Sequence, residues 1–153
     1  METIQIRDFN AGDREDYLRL SEEFYSSPAV VHGVPADHFV RTFEKCLEKS
    51  PYLRGLALMQ EGNFAGYCLL SFTWSNEAGG IVVLLEEAYI SPDYQGHGLG
   101  SKLLCFIEEE YRDRARRLRL EVTEVNKGAI KLYSQMGYES FDYLQMIKEL
   151  PEK

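Results

Sequence analysis

Two adjacent carboxylates, Glu86 and Glu87, stand near the end of an apolar run, and the junction Gln95-Gly96-His97-Gly98-Leu99-Gly100 follows shortly after. Each part has its own chemistry. A carboxylate at a strand end can accept a proton. Three glycines in five residues let the backbone approach a ligand closely and adopt φ values that other residues avoid. The amphipathic segment that follows reads as a helix, whose free N–H groups and positive dipole end would face that loop. Together they form a cradle for an anion such as a phosphate or pyrophosphate.

The loop is not a P-loop, because no Gly-Lys-Ser/Thr follows. It is a poor dinucleotide fingerprint as well, since the third glycine would fall at Ser101. Glu121 lies near the spacing of a ribose-binding acid, but the loop follows hairpin-like strands and not an opening βαβ unit. A nucleotide-dependent oxidoreductase is therefore a distant alternative.

The spacing Gln-x-x-Gly-x-Gly is carried by Gln95, Gly98 and Gly100, after Ile90-Ser91-Pro92-Asp93-Tyr94. Downstream, Asn126, Ala129, Leu132, Tyr133 and Gly137-Tyr138 form a second pattern. The two in this order resemble the acetyl-CoA loop and second motif of the GNAT N-acetyltransferase superfamily. The resemblance covers Leu56 to Glu149. Within it, Leu85-Glu86-Glu87-Ala88-Tyr89-Ile90 is similar to the Leu-Glu-Asp stretch of the spermidine/spermine acetyltransferase branch.

The resemblance implies a cofactor and roles. Acetyl-CoA would set its pyrophosphate on Gln95, Gly96, His97, Gly98, Leu99, Gly100 and Ser101. Its pantetheine arm would pair in β-fashion with the backbone of Ala88, Tyr89 and Ile90. Asn126 would contact the cofactor or cap its helix. Glu86 would be the base or water-orienter and Glu87 a substrate contact. Tyr133 would give its proton to the departing thiolate. His97 sits at a variable position of the motif and reads as an exposed loop residue, not a base.

Deprotonating a primary amine whose pKa is about 10 costs roughly 4 kcal/mol at neutral pH, so a nearby carboxylate is useful. Strict strand alternation puts Glu86 and Glu87 on opposite faces, leaving one at the site. The acceptor pocket is expected from Tyr17 to Val34, the second helix, and the Phe72 to Ile81 hairpin. Tyr25, His32, Trp74 and Glu77 are its candidate lining. An aromatic and acidic pocket suits a cationic amine.

The expected function is acetyl transfer from acetyl-CoA to a primary amine of a small cationic molecule, by direct attack in a ternary complex. The alternative is a non-catalytic acyl-CoA-binding module that senses or scaffolds, which would need neither the carboxylate pair nor Tyr133.

The elements that must position these residues follow from periodicity. Thr3 to Phe9 alternates as a strand. Asn10 or Asp8 caps a helix from about Ala11 to Tyr25, and Pro35 opens a second helix with Phe39, Phe43 and Leu47 on one face. Arg54 to Gln60 and Phe64 to Trp74 are strands joined by a hairpin. Ile81 to Ile90 is the most apolar strand and is expected at the centre. Leu99 to about Arg112 is the helix after the glycine loop, Leu118 to Thr123 a strand, and Asn126 caps a helix ended by Gly137. Tyr138 to Ile147 reads as a last strand. The order β-α-α-β-β-β-α-β-α-β is that of an α/β (α+β) mixed-sheet fold. The GNAT resemblance implies the same, with strands splayed to admit the cofactor.

The 153 residues fit one domain, 1–153, with one real core. No apolar run reaches membrane-spanning length, and METIQIRDF does not read as a signal peptide. The formal net charge of −8 argues against nucleic acid and permits a cationic partner. Cys46, Cys68 and Cys105 are odd in number and sit in apolar segments, which suits reduced thiols in a cytoplasm better than a zinc site. No metal is expected. Homodimers are common in the families resembled, and no interface is legible.

Overall fold

The computed structural model describes residues 3–152. Met1 and Glu2, which open the METIQIRDF segment, and Lys153 lie outside the described residues. Five strands form one sheet in chain order: β1 (Ile4–Asp8), β2 (Leu53–Gln60), β3 (Asn63–Ser75), β4 (Gly80–Ile90) and β5 (Arg117–Leu120). Neighbours are antiparallel through β4, whereas β5 runs parallel to β4. Helices α1 (Arg14–Tyr25) and α2 (Ala36–Leu47) join β1 to β2, α3 (Leu99–Tyr111) crosses from β4 to β5, and α4 (Lys127–Gln135) follows β5.

Local sequence accounts for most boundaries. Asn10 caps a short 3-10 turn that leads into α1, and the Asp13 side chain answers by accepting the Asn10 N–H at 2.8 Å. Asp13 is buried and forms a two-pronged pair with Arg7 of β1, at 2.8 and 3.0 Å, which fastens the start of α1 to the sheet. The β2–β3 hairpin turns on Glu61 and Gly62, both at positive φ, as a two-residue turn of this hand requires. Helix α4 ends in a Schellman arrangement. Gly137 sits at φ 94°, its N–H reaches Ser134 O, and Tyr138 N–H reaches Tyr133 O.

Alternation along the strands builds two cores. On one face Tyr17, Leu20, Phe39 and Phe43 from α1 and α2 pack on Tyr67 and Leu69. On the other, Leu99, Leu103, Leu104 and Ile107 of α3 pack on Cys68, Leu70, Val83 and Leu85. Burying each large apolar side chain contributes about 1.5–3 kcal/mol, so these faces hold the helices in place.

The mixed-sheet class is as expected, with two differences. Strand β4 is interior but not central, for β3 occupies the middle. The expected last strand, Tyr138 to Ile147, is absent, and residues 139–152 hold neither helix nor strand. Side-chain contacts stand at the edge strand in its place. Phe141 packs over the guanidinium groups of Arg117 and Arg119, so β5 engages this segment through side chains and not through a backbone ladder.

Candidate active site

The β3–β4 ladder holds the first determinant of the site. Leu69 pairs with Glu87 and Leu70 with Leu85, which leaves Glu86 without a partner in a β-bulge. The extra residue breaks the alternation. The Glu87 carboxylate accepts from Tyr67 O–H at 2.7 Å and from Tyr25 O–H at 3.3 Å, both on the α1/α2 face. Glu86 accepts from Ser71 Oγ at 2.8 Å, and Ser71 shares that face by its register between Leu70 and Phe72. Both carboxylates therefore stand on one face, which corrects the expectation that alternation would separate them.

Their surroundings differ. Glu86 is exposed, while Glu87 is half-buried. Burial pushes the Glu87 carboxyl above its ordinary range; the two tyrosine hydroxyls pull it back, and the neighbouring Glu86 pushes it up further. Burial and then the charge of Glu87 raise Tyr25 and Tyr67, so both stay protonated as donors. Aromatic rings frame the pair. Tyr25 stacks on Phe39 with centroids 5.3 Å apart, Tyr67 meets Tyr17 edge-on at 4.9 Å, and Tyr89 packs on Phe24 at 5.6 Å. Tyr89 O–H also donates to Glu23 at 3.4 Å, adding a third carboxylate at the rim.

At the other end of β4 the glycine loop is a backbone construction. Gly96 and Gly98 both sit at φ 81°, and a Cβ at either would meet nothing; only their dihedral demands glycine. Gly100 differs, because a Cβ there would lie 3.2 Å from Leu132 Cδ2, so its role is to seat α3 against α4. Gln95 Nε2 donates to Ile90 O at 2.8 Å and ties the loop to the strand end. Helix α3 begins at Gly98 with no side-chain cap and no acid in its first turn. His97 is exposed on this loop.

Between these ends β4 has a free edge. Strand β5 pairs only with Val82–Leu85, so nothing in the sheet covers that side of Glu86 to Ile90. Helix α4 flanks the gap on the α3 face. Its Tyr133 packs against the core there, with Tyr138 at 6.0 Å, and burial raises its phenol so that it stays protonated. Asn126 caps α4 by accepting Ala129 N–H at 3.3 Å. Cys68 is buried beneath Ala88, its cross-strand partner, and burial pushes its thiol well up, so it is no nucleophile. Cys46 is pushed up to about 12 in the same way, and Cys105 is exposed on α3; all three are free.

Of the four acceptor-pocket candidates, the structure brings Tyr25 to the carboxylates and not the others. His32 stands exposed on the α1–α2 loop, and no described hydrogen bond or ion pair joins it to Glu86 or Glu87. Trp74 pairs with Ile81, which lies roughly 20 Å along β4 from Glu87 at ~3.3 Å per residue. Trp74 is 72% exposed and shares the α3 face with Phe72. Glu77 lies beyond it on the β3–β4 turn, bonded to Arg117 and Tyr143. The length of this hairpin carries both residues away from the site. Sequence reasoning missed Tyr67, Ser71 and Glu23. The parity of Tyr67 with Leu69 along β3 was a usable signal, but the bulge that aligns it with Glu87 left no mark in residue type.

Comparisons with known proteins bear on the family and the fold. A model of the Acetyltransferase (GNAT) family matches residues 15–138. The chain is 32% identical over 146 residues to the thialysine N-epsilon-acetyltransferase of Bos taurus, covering 90% of this chain and 85% of that protein. It is 28% identical over 127 residues to the spermine/spermidine N(1)-acetyltransferase of Bacillus subtilis strain 168, covering 73% and 82%. In fold it superposes on an aminoglycoside N-acetyltransferase solved in complex with CoA, with a TM-score of 0.79 at 18% identity, covering 97% and 96%. The chain belongs to the GNAT acetyltransferase family and is an acetyl-CoA-dependent N-acetyltransferase.

Proposed function

We propose that this chain acetylates a primary amine of a small cationic acceptor by direct attack in a ternary complex. The single observation that carries the reading is the β4 bulge, which gathers Glu86 and Glu87 on one aromatic face beside a free strand edge. Relatives named for thialysine and for spermine and spermidine support an amine of this kind.

The residues present fit acetyl-CoA. Gly96 to Ser101 offer backbone N–H groups and an acid-free helix start to a pyrophosphate, and the edge of Ala88, Tyr89 and Ile90 offers unladdered amides to a pantetheine arm. When bound, the co-substrate supplies the activated acetyl group. Glu86, exposed, receives the incoming ammonium. Glu87, whose raised pKa brings it nearer neutrality, takes the proton that frees the amine lone pair, which exchanges the roles that the family resemblance implied for the two carboxylates. Tyr25 and Tyr67 hold Glu87 in place. Tyr133, on the opposite face of the same edge, keeps its phenol proton available to the sulfur that leaves as the N–C bond forms. Direct attack fits the thiols, for Cys68 is held protonated and buried. Three free cysteines fit a cytoplasmic setting.

The double variant Glu87→Gln with Tyr133→Phe tests the assignment. It should bind acetyl-CoA nearly as wild type does and lose most turnover. Wild-type turnover in that variant would sink the catalytic roles and move the chain toward a binding module.

A further inference from the structure

We infer that Arg119 binds the acceptor, and that the acceptor carries a carboxylate as well as its reacting primary amine. The inference rests on the acetyl-transfer reading above and narrows its substrate to an amino acid with a side-chain amine. Four arginines are half-buried among the described residues: Arg7, Arg54, Arg117 and Arg119. Three of them hold a carboxylate of this chain. Arg7 pairs with Asp13 at 2.8 Å, Arg54 with Asp8 at 2.7 Å and Arg117 with Glu77 at 2.9 Å. No ion pair or side-chain hydrogen bond joins Arg119 to any of the described residues. Its guanidinium meets the ring of Phe141, with the centroid 6.0 Å away, and a ring face leaves the N–H donors open. In a chain with 25 acidic residues, the fourth guanidinium keeps its charge for a carboxylate from outside.

The ladder says where that carboxylate would sit. Arg119 stands beside Leu84 in the parallel β4–β5 pairing. Leu118 and Leu120 pack on the α3 core, so alternation turns Arg119 to the opposite face. On that face Glu86 accepts from Ser71, and Tyr25 and Tyr67 hold Glu87. Leu84 lies two residues before Glu86. At ~3.3 Å per residue and ~4.8 Å between strands, the Arg119 and Glu86 backbones are roughly 8 Å apart. Strand β5 ends one residue later, at Leu120, where the free edge of β4 begins. Arg119 therefore stands on the face of the two carboxylates, at the mouth of the gap.

This layout of charge selects among amines. An acceptor that is only cationic gains from Glu86 and Glu87 and is repelled by Arg119. An acceptor with an amine at one end and a carboxylate at the other gains from all three. Arg119 would take the carboxylate through two parallel N–H···O bonds, leaving the amine to Glu86 and Glu87. The spacing suits a molecule of the length of lysine. Extended, lysine reaches roughly 7 Å from its side-chain nitrogen to its carboxyl carbon, at about 1.5 Å per bond along a zigzag.

The test is CoA release from acetyl-CoA with two acceptors, lysine and cadaverine, which is lysine without its carboxylate. Wild type should favour lysine by about tenfold or more in kcat/KM. Arg119→Gln should raise the KM for lysine about tenfold, with kcat within about twofold, and should leave cadaverine unchanged or improved. Arg119→Lys should restore part of the preference, since it returns the charge without the planar fork. Circular dichroism checks that each variant is folded. Equal use of the two acceptors by wild type, or an equal loss with both in Arg119→Gln, would overturn this inference and leave acetyl transfer standing. Release with neither acceptor, while acetyl-CoA still binds, would overturn the acetyl-transfer reading and this inference with it.

Discussion

The glycine loop and the β4 bulge sit at opposite ends of one short stretch, and they are made of different material. The loop is built from backbone. Gly96 and Gly98 supply dihedrals, helix α3 supplies N–H groups, and no side chain caps it. The bulge is built from side chains, since one unpaired residue turns Glu86 and Glu87 onto a face already lined by Tyr25, Tyr67 and Tyr89. A backbone site suits a co-substrate anion, because it asks little of residue identity. A side-chain site suits the acceptor and the proton, where identity sets pKa and shape. The two should therefore fail in different ways.

The largest effect is expected at the bulge. Glu87→Gln should lower kcat by on the order of 100-fold or more, the range of a lost general base, while acetyl-CoA affinity by calorimetry stays within about twofold. Glu86→Gln should act mainly on the KM for the amine, and the reverse split between the two variants would exchange their roles. The loop should show the opposite pattern. Gly98→Ala meets no clash but forces a left-handed conformation costing about 1–2 kcal/mol, so acetyl-CoA should bind up to roughly tenfold more weakly with kcat at saturation little changed.

Smaller effects sharpen the comparison. Tyr67→Phe removes a hydroxyl that holds the Glu87 pKa down, so the acid limb of the kcat/KM profile should move to higher pH. Unchanged position of that limb would separate it from Glu87. Glu87 also carries a stability cost. Its folded pKa lies above the ordinary 4.5, so its contribution to stability is full below about that pH and is lost as pH rises through the folded value. Glu87→Gln should accordingly raise the Tm at pH 8 relative to wild type, with the gain vanishing in acid. Asn126→Ala should remove an N-cap worth about 1 kcal/mol and lower the Tm by roughly 3 °C. A marked loss of acetyl-CoA affinity in that variant would show a cofactor contact beyond the cap.

The same division explains what the sequence made legible. Backbone demands leave residue types behind. Gly96, Gly98 and Gly137 mark positive φ, Asn10 and Asn126 mark helix starts, and Pro35 marks the opening of α2, so the loop, the caps and nearly every element boundary could be read. Strand faces left periodicity, which placed both cores. The bulge left nothing, because Glu86 is unpaired through register between β3 and β4 and not through its type. Tyr67 joined the site only through that register. Trp74 and Glu77 were assigned to the pocket by composition and are carried away by the length of the hairpin. The segment after α4 was read as a strand from its residues, and its pattern is strand-like, but it pairs with no strand of the sheet.

The most direct measurement is amine-dependent release of CoA, followed as free thiol, with acetyl-CoA and a panel of spermidine, lysine, an aminoglycoside and a short peptide. The account predicts saturable release with small cationic amines, and little with the peptide. Acetyl-CoA binding without release for any amine would contradict it.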